Sequence, residues 1–538
     1  MLSRRLPLLL GAVPMVFLAV FFAWPVAAIL RRGLLDDAGG WDPVGALRVL
    51  GRADVLHLAA FTLGQAAAST VLTLAVGMPV AWLLARVDLP GRTLLRVLVT
   101  VPFVLPTVVV GVAFRVLLVD GGPLGWLHLD GTVWAILLAH AFFNTAVVAR
   151  TVGGLWSHLD PRAEQAARSL GASPLRAFTS VTLPALAPAV ASAASVVFLF
   201  CATSFGVVLV LGGSRYRTLE TEVYTRTVDY LDLRTAAALS LLQLVVVLAA
   251  LAVGARARRR RETALSLRPT ASTARRPRGR TWFGVVGALV VVVGLLGVPP
   301  LVLVLRSFSV VGWSLDAYRG LGVSRNGATG LDALSTSLRT ATDATVISVV
   351  MGLLAAVALA RAHGRLGSLA DGALMLPLGV SAVTVGFGFL ITLGSLPGDL
   401  RTSPLLVPIA QALVATPLVV RTLLPALRSV DERLRQAAAV LGASPLRVWR
   451  EVDLPLVARA VAAATGFAYV VSLGEFGATT FLARPDRPTL PVLVGTLISR
   501  PGAENTATAL AAATVLVVAT AAVVAVVESV RVGELGEF

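Results

Sequence analysis

The chain contains no lysine, so all 46 of its basic residues are arginine. Without lysine there is no G-x-x-x-x-G-K-[ST] phosphate loop, and the chain is not a conventional ATPase in its own right. Cysteine is almost absent too. Cys201 stands alone in an apolar run, which excludes an intrachain disulfide and a thiolate metal site; a small buried hydrophobe is the ordinary role for such a residue. The five histidines, His57, His128, His140, His158 and His363, are scattered without ligand spacing. No metal site and no catalytic residues are expected, because no nucleophile–base or acid–base constellation is visible. Charge is scarce as well: 14% of 538 residues, where a soluble domain carries about a quarter.

What fills the chain is apolar. Hydrophobic residues make up 57% and the mean hydropathy is +0.84, values of an all-α polytopic membrane protein. The net charge of +17 would point to nucleic acid in a soluble chain. Here arginines held in cytoplasmic loops explain it better, and no nucleic-acid partner is expected. An apolar run from Leu6 to Leu30 follows Arg4-Arg5 and is too long for a signal-peptide core, so it reads as an uncleaved first span with its N-terminus inside. Further spans fall near 60–85, 97–119, 132–153, 186–211 and 235–254, then near 281–305, 336–360, 372–396, 405–427, 457–482 and 506–528. Between the two sets lies an Arg-rich linker, 255–280, with Arg258 to Arg261 and Arg275-Arg276 among Ser, Thr and Pro. The expected domains are therefore a first half, 1–254, the cytoplasmic linker, 255–280, and a second half, 281–538, with about 12 transmembrane helices in all. Alternating the spans from an inside N-terminus puts Arg86, Arg92, Arg96, Arg361, Arg365 and the linker inside, and both chain ends in the cytoplasm.

The two halves are copies. LGASPLR occurs at Leu170 to Arg176 and again at Leu441 to Arg447, 271 positions on. The same offset relates Ser204-Phe205-Gly206 to Glu475-Phe476-Gly477 and Thr218-Leu219 to Thr489-Leu490. Upstream the offset is 275, relating Gly111 to Gly386, Phe114 to Phe389 and Arg86 to Arg361. A long repeat with spans in the same order implies parallel halves about an axis along the membrane normal.

Each copy of the shared heptad sits in a loop, 157–185 or 428–456, that reads as a helix–turn–helix outside the bilayer. Asp160-Pro161 is a cap-plus-proline start, Gly171 a left-handed stop, Ser173-Pro174 a second start and Leu183-Pro184 an end. Leu175, Phe178 and Val181, like Leu446, Trp449 and Val452, give each second helix an apolar edge. Such an edge rests on the membrane surface or meets a partner; two copies in matching register favour a two-fold protein partner. The spacing Ala-Ala-x-x-x-Gly-x(9)-Val-x-Leu-Pro resembles the coupling motif of permeases from binding-protein-dependent ABC importers. Ala166, Ala167, Gly171, Leu183 and Pro184 match it, as do Ala437, Ala438, Gly442, Leu454 and Pro455, with Pro174 and Pro445 inside the shared heptad. The acidic residue that opens the family motif is Gln165 and Gln436 here, with Glu164 and Arg435 one place earlier.

The resemblance implies the type I ABC importer permease fold, and a plasma-membrane protein of a prokaryote that is a transport subunit and not an enzyme. It implies two copies of a cytoplasmic ABC ATPase as partners, carrying ATP and Mg, and an extracytoplasmic substrate-binding protein; no cofactor is expected in this chain. The fused halves and the stretches around Ser204 and Glu475 are similar to thiamine and ferric-iron permeases, with thiamine the first expectation and iron the alternative. A pathway carboxylate suits either cation. Glu475, paired by the repeat with Ser204, either faces the pathway together with Phe205 and Phe476 or forms a buried pair with a neighbouring helix. Asp343, Gln65, Asn144, Gln243 and Gln411 are the other polar residues inside spans, and Asp343 reads as structural. A secondary transporter, also built from repeats, is the rival class, but it has no need of paired cytoplasmic helix–turn–helices.

Overall fold

A computed structural model describes residues 5–36, 38–259, 276–309, 312–324, 327–362, 364–392 and 403–532. Among these the structure is helical, with two isolated bridges, Leu35 to Trp41 and Arg484 to Arg487, and no strand. Among the described residues, ten helices are long and apolar enough to cross a membrane. The expected spans 97–119 and 372–396 are not straight crossings. Each is a pair of helices, Leu94–Val104 with Thr107–Leu118 bent by 105°, and Gly364–Gly379 with Ala382–Thr392 bent by 94°. The first break lies at Leu105-Pro106, where the proline forces the residue before it out of the helical region and both are extended. At the second, the Ser381 hydroxyl accepts the Val383 N–H at 3.0 Å and starts a new helix. Residues 260–275 of the expected linker lie outside the described residues; helix Leu233–Arg259 runs unbroken up to them.

Four π-turns occur among the described residues, and each ends just before a proline. Ala19–Ala23 precedes Trp24-Pro25, Phe178–Thr182 precedes Leu183-Pro184, Val292–Gly297 precedes Val298-Pro299, and Trp449–Asp453 precedes Leu454-Pro455. Proline has no N–H to give, and its ring presses on the carbonyl four residues back. A wider turn, in which the preceding N–H reaches five residues back (Leu183 to Phe178, Leu454 to Trp449), lets the helix pass. The Leu-Pro pairs were expected to end the short second helices of the loops. They do not: Pro174–Ala202 and Pro445–Leu473 are each continuous through the π-turn.

The chain forms two compact units. One comprises 50–222 and 242–314, the other 1–49, 223–241 and 315–538. They differ from the sequence halves 1–254 and 281–538 chiefly in that each half's first span packs within the other unit. In the first unit Val285 and Ala288, from helix Thr281–Ser307, bury against Leu83 and Val87. In the second, Leu10 and Met15 pack on the core of Val419, Leu423 and Ala356, and Phe21 stacks on Phe389 with ring centres 6.2 Å apart. A sequence repeat records order and spacing, and neither tells which half a flanking span will lie against. The most enclosed spans are Val133–His158 (72% buried) and Leu406–Ser429 (67%), the central helix of each unit. A repeated hydrogen bond ties a matching turn in each unit to its longest helix: Leu219 N–H to the Thr62 hydroxyl at 3.0 Å, and Leu490 N–H to that of Ser337 at 2.7 Å.

Candidate functional site

The two loops share their caps and turns, bond for bond. The first short helix, Arg162–Ser169 or Glu432–Val440, starts at an aspartate whose side chain accepts an N–H two residues on, Asp160 from Arg162 at 3.0 Å and Asp431 from Arg433 at 2.9 Å. It ends in a Schellman turn. Gly171 N–H reaches Arg168 O and Ala172 N–H reaches Ala167 O; Gly442 reaches Ala439 and Ala443 reaches Ala438, all at 3.0–3.1 Å. The two glycines have φ of 91° and 83°, where a Cβ would be strained. Ser173 and Ser444 then accept the N–H of Arg176 and Arg447, and Pro174 and Pro445 open the second helix.

The apolar edge of that helix divides. Phe178 packs against Trp156 with ring centres 5.8 Å apart and Trp449 packs on its own unit's core, so both anchor the loop. Leu175 and Leu446 point away, 72% and 67% exposed, beside Leu170 (89%) and Leu441 (87%) at the turn. Under the loop, one brace joins the first short helix to the π-turn, and its chemistry is reversed between copies. Glu164 accepts the Thr182 hydroxyl at 2.8 Å. At the equivalent positions Arg435 donates to the buried Asp453 carboxylate at 2.7 Å, and also to Glu432 at 2.7 Å. Burial works against the charge on Arg435, but its bonds to Glu432 and Asp453 outweigh this and raise its pKa above the ordinary guanidinium value.

At the far end of each continuous helix lies the turn holding the expected pathway residues. Ser204, Phe205, Glu475 and Phe476 are all buried. Both Glu475 carboxylate oxygens are engaged by their own chain: one accepts the Ala478 N–H at 2.8 Å, the other the Thr479 N–H at 2.9 Å and the Thr479 hydroxyl. The side chain thus caps the short helix Thr479–Leu482. These turns pack tightly on the bent pairs through repeated glycines. A Cβ on Gly206 would lie 2.7 Å from Val108 N, and one on Gly386 2.8 Å from Ala478 Cα.

Comparison with known proteins adds a family to this geometry. The family model described as binding-protein-dependent transport system inner membrane component matches twice, at residues 77–263 and 348–531, one match per repeat. The chain belongs to that family. It is a transport protein of the inner membrane that crosses it many times. It is 27% identical to the thiamine transport system permease protein ThiP of Brucella abortus (strain 2308), over 94% of this chain and 91% of that one. It is 28% identical to ThiP of Salmonella typhimurium (94% and 95% covered) and 31% identical to the sulfate transport system permease protein CysT of the same species, over 37% of this chain.

Within the permease, Asp343 lines a cavity of about 440 Å³ with Asp332, Arg339, Ser403, Arg484 and Arg487. A buried polar cluster is not evident from the sequence, although Gln65, His140, Asn144 and Cys201 each stand out there singly. Gln65 donates to the Cys201 carbonyl at 2.8 Å, the Ser69 hydroxyl lies 3.0 Å from His140 Nδ1, and Asn144 reaches the Cys201 sulfur at 3.5 Å. The signal was the spacing of four between Gln65 and Ser69 and between His140 and Asn144, which puts each pair on one helix face. Such bonds hold apolar spans together where water is absent.

Proposed function

We propose that the chain is the fused two-half permease of an ATP-driven importer for thiamine. The observation that carries the cargo is the likeness to thiamine permeases through both halves, over 94% of the chain. Two cytoplasmic ABC ATPases, carrying ATP and Mg, dock one on each loop, through Leu170, Leu175 and the Ala166-Ala167 face in one copy and Leu441, Leu446 and Ala437-Ala438 in the other. An extracytoplasmic binding protein delivers the cargo at the opposite ends of the spans. Both chain ends and the Arg-rich linker are cytoplasmic, on the side that retains arginine.

The loops move the spans because nothing separates them. Pro174–Ala202 and Pro445–Leu473 each run 29 residues without a break, a rod of about 43 Å at helical rise. One end carries the docking surface, and the other ends at the turn holding Ser204-Phe205 or Glu475-Phe476. ATP-driven closure of the ATPases shifts the docking ends, the rods carry the shift to these turns, and hydrolysis reverses it. In this scheme Glu475 shapes the turn that faces the pathway through its bonds to Ala478 and Thr479.

Uptake of labelled thiamine into cells lacking their own importer, supplied with this permease, its ATPase and its binding protein, tests the cargo. ATP-dependent thiamine accumulation with no ferric-iron accumulation is expected; the reverse would transfer the proposal to iron. Labelling of single cysteines in a Cys201→Ser background tests orientation. Leu170→Cys should react only from inside and Trp126→Cys only from outside, and the opposite pattern would invert the topology.

A further inference from the structure

Each unit has a cleft beside its loop, and the two clefts occupy repeat-equivalent positions. In the first, Met78, Pro79, Trp82 and Arg86 face Phe178 and Gly284. In the second, Leu353, Leu354, Val357 and Arg361 face Trp449 and Leu10. The walls are thus the end of a long span, the start of the helix leaving the loop, and the exchanged first span. In both, one arginine stands among apolar side chains. The clefts differ in size, about 1340 Å³ against about 340 Å³. They differ more in charge. The first adds Arg168, Arg276 and Arg278, with Arg168 and Arg278 exposed. Its one lining carboxylate, Glu164, is hydrogen-bonded to Thr182. The second has Arg361 alone among apolar side chains.

We propose that the first cleft binds one anionic phospholipid, with its phosphate among Arg86, Arg168 and Arg278 and an acyl chain along Met78, Trp82 and Gly287, and that the second takes acyl chains without headgroup selection. The chemistry divides in that order along the first cleft. Arginines stand at the end bordered by the loop and Arg276–Arg278, while Gly284, Gly287, Ala288 and Val291 continue the wall into the span. A basic cluster opening onto an apolar wall at one end of a membrane helix matches an anionic headgroup and its tail. By charge the rest of the linker is a poor occupant of the arginine end: 255–275 holds one acid, Glu262, among seven arginines. Occupancy would bear on the loop directly, since Pro161, Glu164 and Arg168 line the same cleft. Placing the lipid in the inner leaflet rests on the orientation proposed above; the binding itself does not.

The test is lipid retention by the purified full-length permease in native mass spectrometry, which needs neither ATPase nor cargo. Stripped protein is offered phosphatidylglycerol, phosphatidylcholine of the same chains, or glycerol 3-phosphate. One phosphatidylglycerol should be retained in clear preference to phosphatidylcholine, and glycerol 3-phosphate should neither bind nor compete. Arg168→Gln with Arg278→Gln should weaken the anionic lipid about tenfold, and Arg361→Gln should leave the preference unchanged. Gly287→Leu, at a site where a Cβ meets nothing within 4 Å, should reduce retention of the anionic lipid by filling the wall. Equal retention of the two lipids, a preference unmoved by the double variant, or competition by glycerol 3-phosphate would overturn the proposal.

Discussion

The two loops share one backbone and differ in what holds them down. The heptads, Schellman turns, serine caps and π-turns are repeated, whereas the brace beneath is Glu164 with Thr182 in one copy and Arg435 with Asp453 in the other. Position by position, an acid facing a hydroxyl has become a base facing an acid. The contact has been kept while both partners changed, so its geometry matters more than its sign. At Glu164 and Arg435 the chain requires a side chain able to bond the π-turn, and either charge suffices.

The comparison breaks hardest at what the copies share. Gly171→Val with Gly442→Val should cost about 1–2 kcal/mol per loop, since β-branched residues do not tolerate positive φ. Membrane insertion should stay near normal while import and ATPase co-purification are lost; retained import would show that the turn geometry is dispensable. Next come the repeated glycines at the bent pairs. A Cβ on Gly386 meets backbone, Ala478 Cα at 2.8 Å, while one on Gly111 meets the Val210 side chain at 2.8 Å. Overpacking costs about 1–3 kcal/mol, and Gly386→Ala should lie at the upper end of that range because backbone yields less. Thermal unfolding in detergent checks the order, and equal shifts would mean that both sites relax.

The braces sharpen the comparison. Asp453→Ala strips the buried partner from Arg435 and should cost on the order of 2 kcal/mol, against about 1 kcal/mol for Thr182→Val in the other copy. Glu164→Arg with Thr182→Asp should then recover the loop stability and ATPase association that Glu164→Arg alone loses. If the double variant is no better than the single one, the reversed pairs are not equivalent.

The smallest effect concerns Asp42. The Gly45 N–H and the Arg234 guanidinium, at 2.7 Å each, hold its carboxyl below the ordinary aspartate value. Because the folded value is the lower one, the tie stabilises above the ordinary carboxylate range and is lost as pH falls through the lowered value. Asp42→Asn should therefore flatten the acid side of the stability profile slightly, and a profile that keeps its shape in the variant would show that the tie adds nothing.

Local chemistry made much of this legible in the sequence. Proline, serine, aspartate and glycine act on their own backbone, so the caps and the left-handed turns at Gly171 and Gly442 could be placed from spacing alone. The Leu-Pro pairs misled because a proline can be met by a wider turn as well as by a helix end. The bends at Pro106 and Ser381 were hidden inside runs apolar enough to pass as straight spans. The brace, the exchanged first spans and the His140 cluster depend on residues far apart in sequence meeting through packing, which periodicity does not report. The carboxylate of Glu475 was visible, but the donors that occupy it are backbone and leave no mark in composition.

The account turns on each loop engaging its own ATPase through an exposed leucine. Cysteine cross-linking from Leu170→Cys and from Leu441→Cys, in a Cys201→Ser background with the partner ATPase carrying single surface cysteines, measures this directly. Each site should cross-link on its own, and the two together should yield a permease bearing two ATPase chains. Import that proceeds normally while neither site cross-links would contradict the account.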